Sequence, residues 1–292
     1  MLFRSAYLAG LLSLAVVAHG QTSAPAHVTS RDGTRIAYDK SGKGPAIIVV
    51  NGALSTRAQN AELSKLLAPH LTVYSYDRRG RGDSGDNQPY SVKREIEDIE
   101  ALIDAAGGKA YVYGKSSGAA LALQAAASLG DKITKLAIYE PPYSEAEGAA
   151  KEWKDFREKL DAQLAAGQRA EAITLFMKFV GAPDEAVAKM KTSPAWAGML
   201  AMAPTLAYDN AILGDDRSVP VSVATKVTAI TLVMDGSASL GPMPFMRATA
   251  DKIAKNVPGA QHIVVEGQAH DVSAKALAPI LLKFFNQTVK AP

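Results

Sequence analysis

Short, continuous apolar runs separated by helical stripes dominate the chain after residue 45. They occur at 46–50 (AIIVV), 71–76 (LTVYSY), 110–113 (AYVY), 135–139 (KLAIY), 229–234 (AITLVM) and 262–265 (HIVV). A run of four to six apolar residues without alternation is what a strand buried on both faces requires. Between the runs the period changes to that of a helix. In 92–106, Ile96, Ile99, Leu102, Ile103 and Ala106 share one face, and Ser91 stands at the N-cap position. Strands alternating with helices predict an α/β domain built on a mostly parallel sheet, eight strands in all, flanked by helices. Residues 27–38 (HVTSRDGTRIAY) add a β-hairpin turned at Asp32-Gly33.

The alternation stops between 143 and 215. That stretch has no strand-like run. It carries helical stripes (Trp153, Phe156, Leu160; then Ile173, Phe176, Met177, Val180) broken by Pro183, Pro194 and Pro204. It reads as a helical cap inserted into the α/β domain, which then comprises 21–142 and 216–292. A length of 292 residues accommodates one large domain with such an insertion.

The first twenty residues differ from the rest. Arg4 precedes an apolar run at 7–18 (YLAGLLSLAVVA), and Ala18-His19-Gly20 offers small residues where a signal peptidase reads. About twelve apolar residues are too few to span a bilayer comfortably. The expectation is a secretory signal peptide over 1–20, a periplasmic or secreted protein starting near Gln21, and no stable membrane anchor. Its removal takes one of the 32 basic residues and none of the 29 acidic ones, changing the net charge from +3 to 31 − 29 = +2. With so small an excess and no basic run longer than two residues, a nucleic-acid partner is not expected. The chain has no cysteine, which excludes cysteine nucleophiles, thiolate metal sites and disulfides.

Ligands of open α/β sheets bind at the carboxyl ends of the strands, so those ends hold the chemistry. One run ends in Asn51-Gly52-Ala53, the next in a stretch from Asp77 to Gly85 (DRRGRGDSG), and a third in Gly114-Lys115-Ser116-Ser117-Gly118, followed by AALALQAAA. The last is G-x-S-x-G between a strand and a helix. A bare match is weak; in this context a sharp turn lifts the Ser116 hydroxyl out, and a helix N-terminus favours negative charge beside it. Two other matches fail on context. Gly80 to Gly85 fits G-x-G-x-x-G, but Pro89 separates it from the next helix. Gly114-Lys115-Ser116 resembles the end of a P-loop, but the required earlier glycine position is Lys109. Of five histidines, His19 falls in the signal segment, His27, His70 and His262 lie at the starts of strands, and His270 sits in a loop after the final strand. His270 is therefore the general base candidate.

These motifs together, over residues 27–288, resemble the α/β-hydrolase superfamily. The resemblance rests on the Asn51-Gly52 pair, the D-R-R-G-R-G-D-S segment, the G-K-S-S-G elbow and Gly267-Gln268-Ala269-His270. It implies Ser116 as nucleophile, His270 as base, and an oxyanion hole from the backbone N–H groups of Ala53 and Ser117. Where that superfamily commonly has histidine before the first glycine, this chain has Asn51. Most members carry the triad acid after the strand preceding the histidine strand. Here that segment is Met234-Asp235-Gly236-Ser237-Ala238-Ser239, and its expected position holds Ser239 or a neighbour, without a carboxylate. Similarity to some haloalkane dehalogenases and lactone hydrolases points instead to Glu140, after the 135–139 strand; Asp235 is the runner-up, and a serine–histidine dyad stays open.

Ser at the elbow argues against dehalogenase or epoxide hydrolase chemistry, for which the superfamily uses Asp. The expected reaction is hydrolysis of a carboxylic ester or lactone of an apolar small molecule through an acyl-enzyme, with no cofactor or metal. Asn51, Leu54, Phe176, Trp196 and Met199 are the expected substrate contacts. Two other readings use the same residues: a cofactor-free perhydrolase or C–C bond hydrolase, and a non-catalytic ligand-binding protein on the same fold.

Overall fold

A computed structural model describes residues 25–241 and 243–286. The expected signal segment, 1–20, lies outside them. Eight strands form one sheet: β1 (Ala26–Thr29), β2 (Arg35–Ser41), β3 (Ala46–Val50), β4 (Thr72–Tyr76), β5 (Ala110–Lys115), β6 (Ile133–Tyr139), β7 (Ile230–Gly236) and β8 (Gln261–Val265). Their spatial order is β1-β2-β4-β3-β5-β6-β7-β8. Only β2 runs against its neighbours β1 and β4; β4 through β8 are parallel. The hairpin closes where Asp32-Gly33 was expected to turn it: Ser30 N donates to Thr34 O at 2.8 Å, and Gly33 has φ +84°.

The core helices are α1 (Ala61–Leu67), α2 (Val92–Ala105), α3 (Ser117–Leu129), α9 (Val221–Ala224), α10 (Phe245–Asn256) and α11 (Ala274–Phe285). Between 143 and 215 come five more, α4 (Ala149–Ala165), α5 (Arg169–Phe179), α6 (Asp184–Lys191), α7 (Trp196–Met202) and α8 (Leu206–Leu213), and no strand. No helix among the described residues is long and apolar enough to cross a membrane. The continuous apolar strands have helices on both faces, and two apolar clusters result. One, containing Ile48, Val50, Val112, Leu136 and Ile138, joins α2 and α3 to α4 and α8 through Trp153, Phe156 and Leu206. The other, containing Ile47, Val49, Leu232 and Met234, is covered by α1 and α11. This is the pleat at work: odd and even positions of one strand serve opposite layers.

Ser91 is the N-cap residue of α2, as expected; the contact there is through its backbone carbonyl, which accepts from Arg94 N at 2.9 Å, and not through its hydroxyl. Burying Glu95 and Asp98 against Arg78 and Arg79 holds that end of the helix instead.

Candidate active site

Strain is concentrated at the carboxyl edge of the sheet. Among the described residues, four non-glycine positions have positive φ, and three follow neighbouring parallel strands: Leu54 after β3, Ser116 after β5 and Glu140 after β6. Such conformations persist only where the surroundings enforce them, at about 1–3 kcal/mol each. Ser116 (φ 58°, ψ −132°) is the residue between β5 and α3. The turn is tight enough that its glycines cannot be replaced. A Cβ on Gly118 would lie 2.4 Å from Val50 O and 2.5 Å from Asn51 O, and one on Gly52 would lie 2.9 Å from the Ser116 Cβ. The elbow and the loop after β3 therefore touch through backbone.

His270 stands in the loop between β8 and α11. Its Nδ1 lies 2.7 Å from Glu140 Oε2. The other carboxylate oxygen, Oε1, accepts from Gly236 N at 2.8 Å. Glu140 is fully buried. Burial opposes its charge, but the hydrogen bond from His270, the adjacent Ser239 hydroxyl and the Gly236 N–H outweigh that, and its pKa is lowered. Ser239 itself is fully buried, and its oxygen makes no hydrogen bond of normal geometry. An ionised Glu140 can only accept, so His270 donates from Nδ1, and in the neutral imidazole the lone pair then lies on Nε2.

The loop after β7, where a carboxylate is lacking, holds the histidine loop. Ser237 Oγ accepts from Gly267 N at 2.8 Å, Ala238 N donates to Gln268 O at 2.9 Å, and the Tyr139 hydroxyl donates to Ala269 O at 2.7 Å. A further strap joins the residues flanking the two functional side chains: Lys115 Nζ lies 2.6 Å from Asp271 Oδ1.

Asp235 is occupied elsewhere. It is the penultimate residue of β7, so its side chain projects from the sheet face rather than from the edge. There it is fully buried between Arg247 Nε (2.6 Å) and His262 Nε2 (2.5 Å), and His262 Nδ1 contacts Asp251 at 2.7 Å. The structure brings Glu140, and not Asp235, against His270.

The Ser116 hydroxyl makes no hydrogen bond to the imidazole or to any other described residue. The Ser116 carbonyl accepts from Ala119 N (2.8 Å) and Ala120 N (3.2 Å). In a trans peptide the following N–H, that of Ser117, points the opposite way, out of the helix N-terminus. Asn51 is buried, and its side-chain amide donates to Thr56 O at 3.0 Å, closing the loop that carries Ala53 and Leu54. Leu54 is also buried. Phe176, Trp196 and Met199 are half-buried on the cap and pack on the first apolar cluster.

Sequence reasoning missed the charged cluster under this loop. Arg78 and Arg81, both buried, converge on the buried Asp209 of α8. A signal was present: Asp209, with Asn210 beside it, interrupts the apolar run 206–213 (LAYDNAIL), and a charge on such a helix needs a partner.

A strained serine between β5 and α3 and an imidazole bound to a buried carboxylate thus lie at the carboxyl edge of a mostly parallel sheet. The family model described as the alpha/beta hydrolase family matches residues 47–278, and the chain belongs to that family. An alpha/beta hydrolase from Sphaerobacter thermophilus has a crystal structure 50% identical to this chain; the match covers 89% of this chain and 100% of that one, with a TM-score of 0.81. N-formylmaleamate deformylase from Pseudomonas putida is 34% identical over 106 residues, 35% of this chain and 40% of that protein. The matched segments thus span about two fifths of the length of the curated relatives. The enol-lactonase from Burkholderia xenovorans, 20% identical with a TM-score of 0.66 over 90% of this chain and 100% of that one, shares the fold.

Proposed function

We propose that this hydrolase is an exported serine hydrolase that cleaves a carboxylic ester or lactone of an apolar small molecule through an acyl-enzyme on Ser116. The observation that carries the reading is the 2.7 Å contact between His270 Nδ1 and Glu140 Oε2, because it leaves Nε2 free to act as a base. Substrate binding closes the remaining gap between the serine hydroxyl and Nε2, as is common when a catalytic contact forms only in the loaded site. The hydroxyl then attacks the substrate carbonyl while His270 takes its proton. The N–H groups of Ala53 and Ser117 hold the oxyanion. The imidazolium, stabilised by Glu140, returns the proton to the leaving oxygen, and water repeats the sequence to release the acid. The half-buried Phe176, Trp196 and Met199 support an apolar acyl group.

The test is covalent. A fluorophosphonate should label Ser116 by mass spectrometry, and Ser116→Ala should lose labelling and about 10⁴–10⁶ of kcat on a short-chain aryl ester. Labelling elsewhere, or turnover that survives Ser116→Ala, would refute the assignment. Running esters, lactones and N-formyl amides in parallel identifies the bond cleaved.

A further inference from the structure

The two N–H groups that would hold the oxyanion lie on separate elements, β3's loop and α3, and one buried cluster reaches the residues on both sides. Arg81 Nη1 donates to the Gly52 carbonyl at 2.6 Å. In the planar trans peptide from Gly52 to Ala53, the carbonyl and the N–H point in opposite directions. Holding the carbonyl toward Arg81 therefore turns the Ala53 N–H away from it. The second nitrogen, Nη2, donates to Asp209 at 3.0 and 2.8 Å, and Arg81 Nε donates to Thr205 Oγ1 at 3.1 Å. Asp209 Oδ1 accepts from Ser117 Oγ at 2.7 Å and from Arg78 Nη1 at 2.8 Å. Arg78 Nη1 also donates to Asn51 O at 3.2 Å, while its Nε and Nη2 take both oxygens of Glu95 at 2.7 Å.

Arg78, Arg81, Glu95 and Asp209 are all buried, two cations and two anions with no net charge among them. Burial opposes the charge on Asp209, but Arg81, Arg78 and the Ser117 hydroxyl outweigh it and lower its pKa. A fully paired cluster of this kind is rigid, and removal of one member leaves a buried charge without its partner. Asp209 lies on α8 and both arginines follow β4, so the cluster ties α8 to the loop after β3.

We propose that Arg81 and Asp209 are positioning residues for the oxyanion hole, Arg81 by fixing the Gly52–Ala53 peptide and Asp209 by tying Arg81 to Ser117. Neither touches the reacting atoms. The inference rests on Ser116 being the nucleophile. It predicts that loss of the clasp weakens transition-state binding and leaves ground-state binding nearly unchanged.

The experiment compares wild type, Arg81→Lys and Ser117→Ala. A lysine keeps the charge but gathers its donors on one nitrogen and loses the planar fork by which Arg81 spans Thr205, Gly52 and Asp209. Ser117→Ala keeps the N–H and removes only the hydroxyl held by Asp209; it serves if Arg81→Lys does not fold. Active sites are counted by fluorophosphonate labelling, so that a misfolded fraction does not enter kcat. Per active site, kcat on 4-nitrophenyl acetate should fall roughly 10–100-fold in Arg81→Lys and about 3–10-fold in Ser117→Ala, with KM within about threefold. The Ki of butylboronic acid, whose tetrahedral serine adduct places an oxygen in the hole, should rise in proportion to the loss of kcat. Folded variants with wild-type kcat and boronate affinity, or a loss appearing only in KM, would overturn the proposal. A wild-type protein that takes neither probe would instead overturn the Ser116 reading and this inference with it.

Discussion

Glu140 meets His270 from the end of β6, one strand further from the histidine strand than the loop that usually supplies the acid. Its Oε2 lies 2.7 Å from Nδ1, while Oε1 accepts from the N–H of Gly236, the last residue of β7. The end of β7 thus contributes a backbone donor to the Glu140 carboxylate, and Ser237 and Ala238 of the loop that follows hold the histidine loop. The extra methylene of glutamate supplies part of the reach.

Exchange of the two carboxylates for amides should separate their roles. Glu140→Gln should reduce kcat by up to about 10⁴-fold, because an amide stabilises the wrong imidazole tautomer and no imidazolium. Asp235→Asn should leave kcat within a few-fold and cost about 1–3 kcal/mol of stability, since it weakens buried contacts to Arg247 and His262. Steady-state kinetics and urea denaturation on both variants decide it; the reverse ranking would transfer the triad role to Asp235.

Stability should decline on the acid side. Glu140 and Asp209 both have folded-state pKa values below their ordinary ones. Between the folded and unfolded values the unfolded chain binds more protons, so stability rises with pH there. Their contribution is fully present above about pH 4–5 and is lost as pH falls below the ordinary carboxylate values toward the depressed ones. Urea denaturation from pH 3 to 7 should show this slope. Asp209→Asn should lower the neutral plateau and flatten the acid limb; an unchanged slope would mean that Asp209 titrates alike in both states.

Gly118→Ala tests the closeness of the elbow to β3. The new methyl would fall 2.4–2.5 Å from the carbonyl oxygens of Val50 and Asn51, and both neighbours are backbone atoms rather than the movable end of a side chain. A loss of roughly 3 kcal/mol or more, or insoluble protein, is the expected outcome. Wild-type stability by urea denaturation would show that the turn has slack.

The proposed export predicts a mature N-terminus at or near Gln21. Intact mass or N-terminal sequencing of protein recovered from the periplasm or medium measures it directly, and a chain retaining residues 1–20 would contradict cleavage.

Local patterns carried much of this protein in the sequence. Apolar runs without alternation marked strands covered on both faces, and the break at 143–215 marked a stretch of helices without a strand. The serine elbow was legible because its requirements are local: a strand, small residues and a helix within a few positions. His270 stood out because a side chain at a strand's carboxyl end is placed by chain direction alone. The partner of that histidine was ranked only through resemblance, Glu140 first and Asp235 second, because no local pattern separates the two. Glu140 and Asp235 both lie at the carboxyl ends of strands rich in apolar residues, and the difference lies in where each side chain leaves the sheet: Glu140 just past the end of β6 with φ +47°, Asp235 from within β7 against Arg247. The clasp of Asp209 on Arg78 and Arg81 lay still further out of reach, because it joins residues 131 and 128 positions apart. Hydrophobic periodicity reports which way a residue faces within its own element. Which charged groups then meet is settled only when the cap closes on the sheet and each buried charge must find an opposite one.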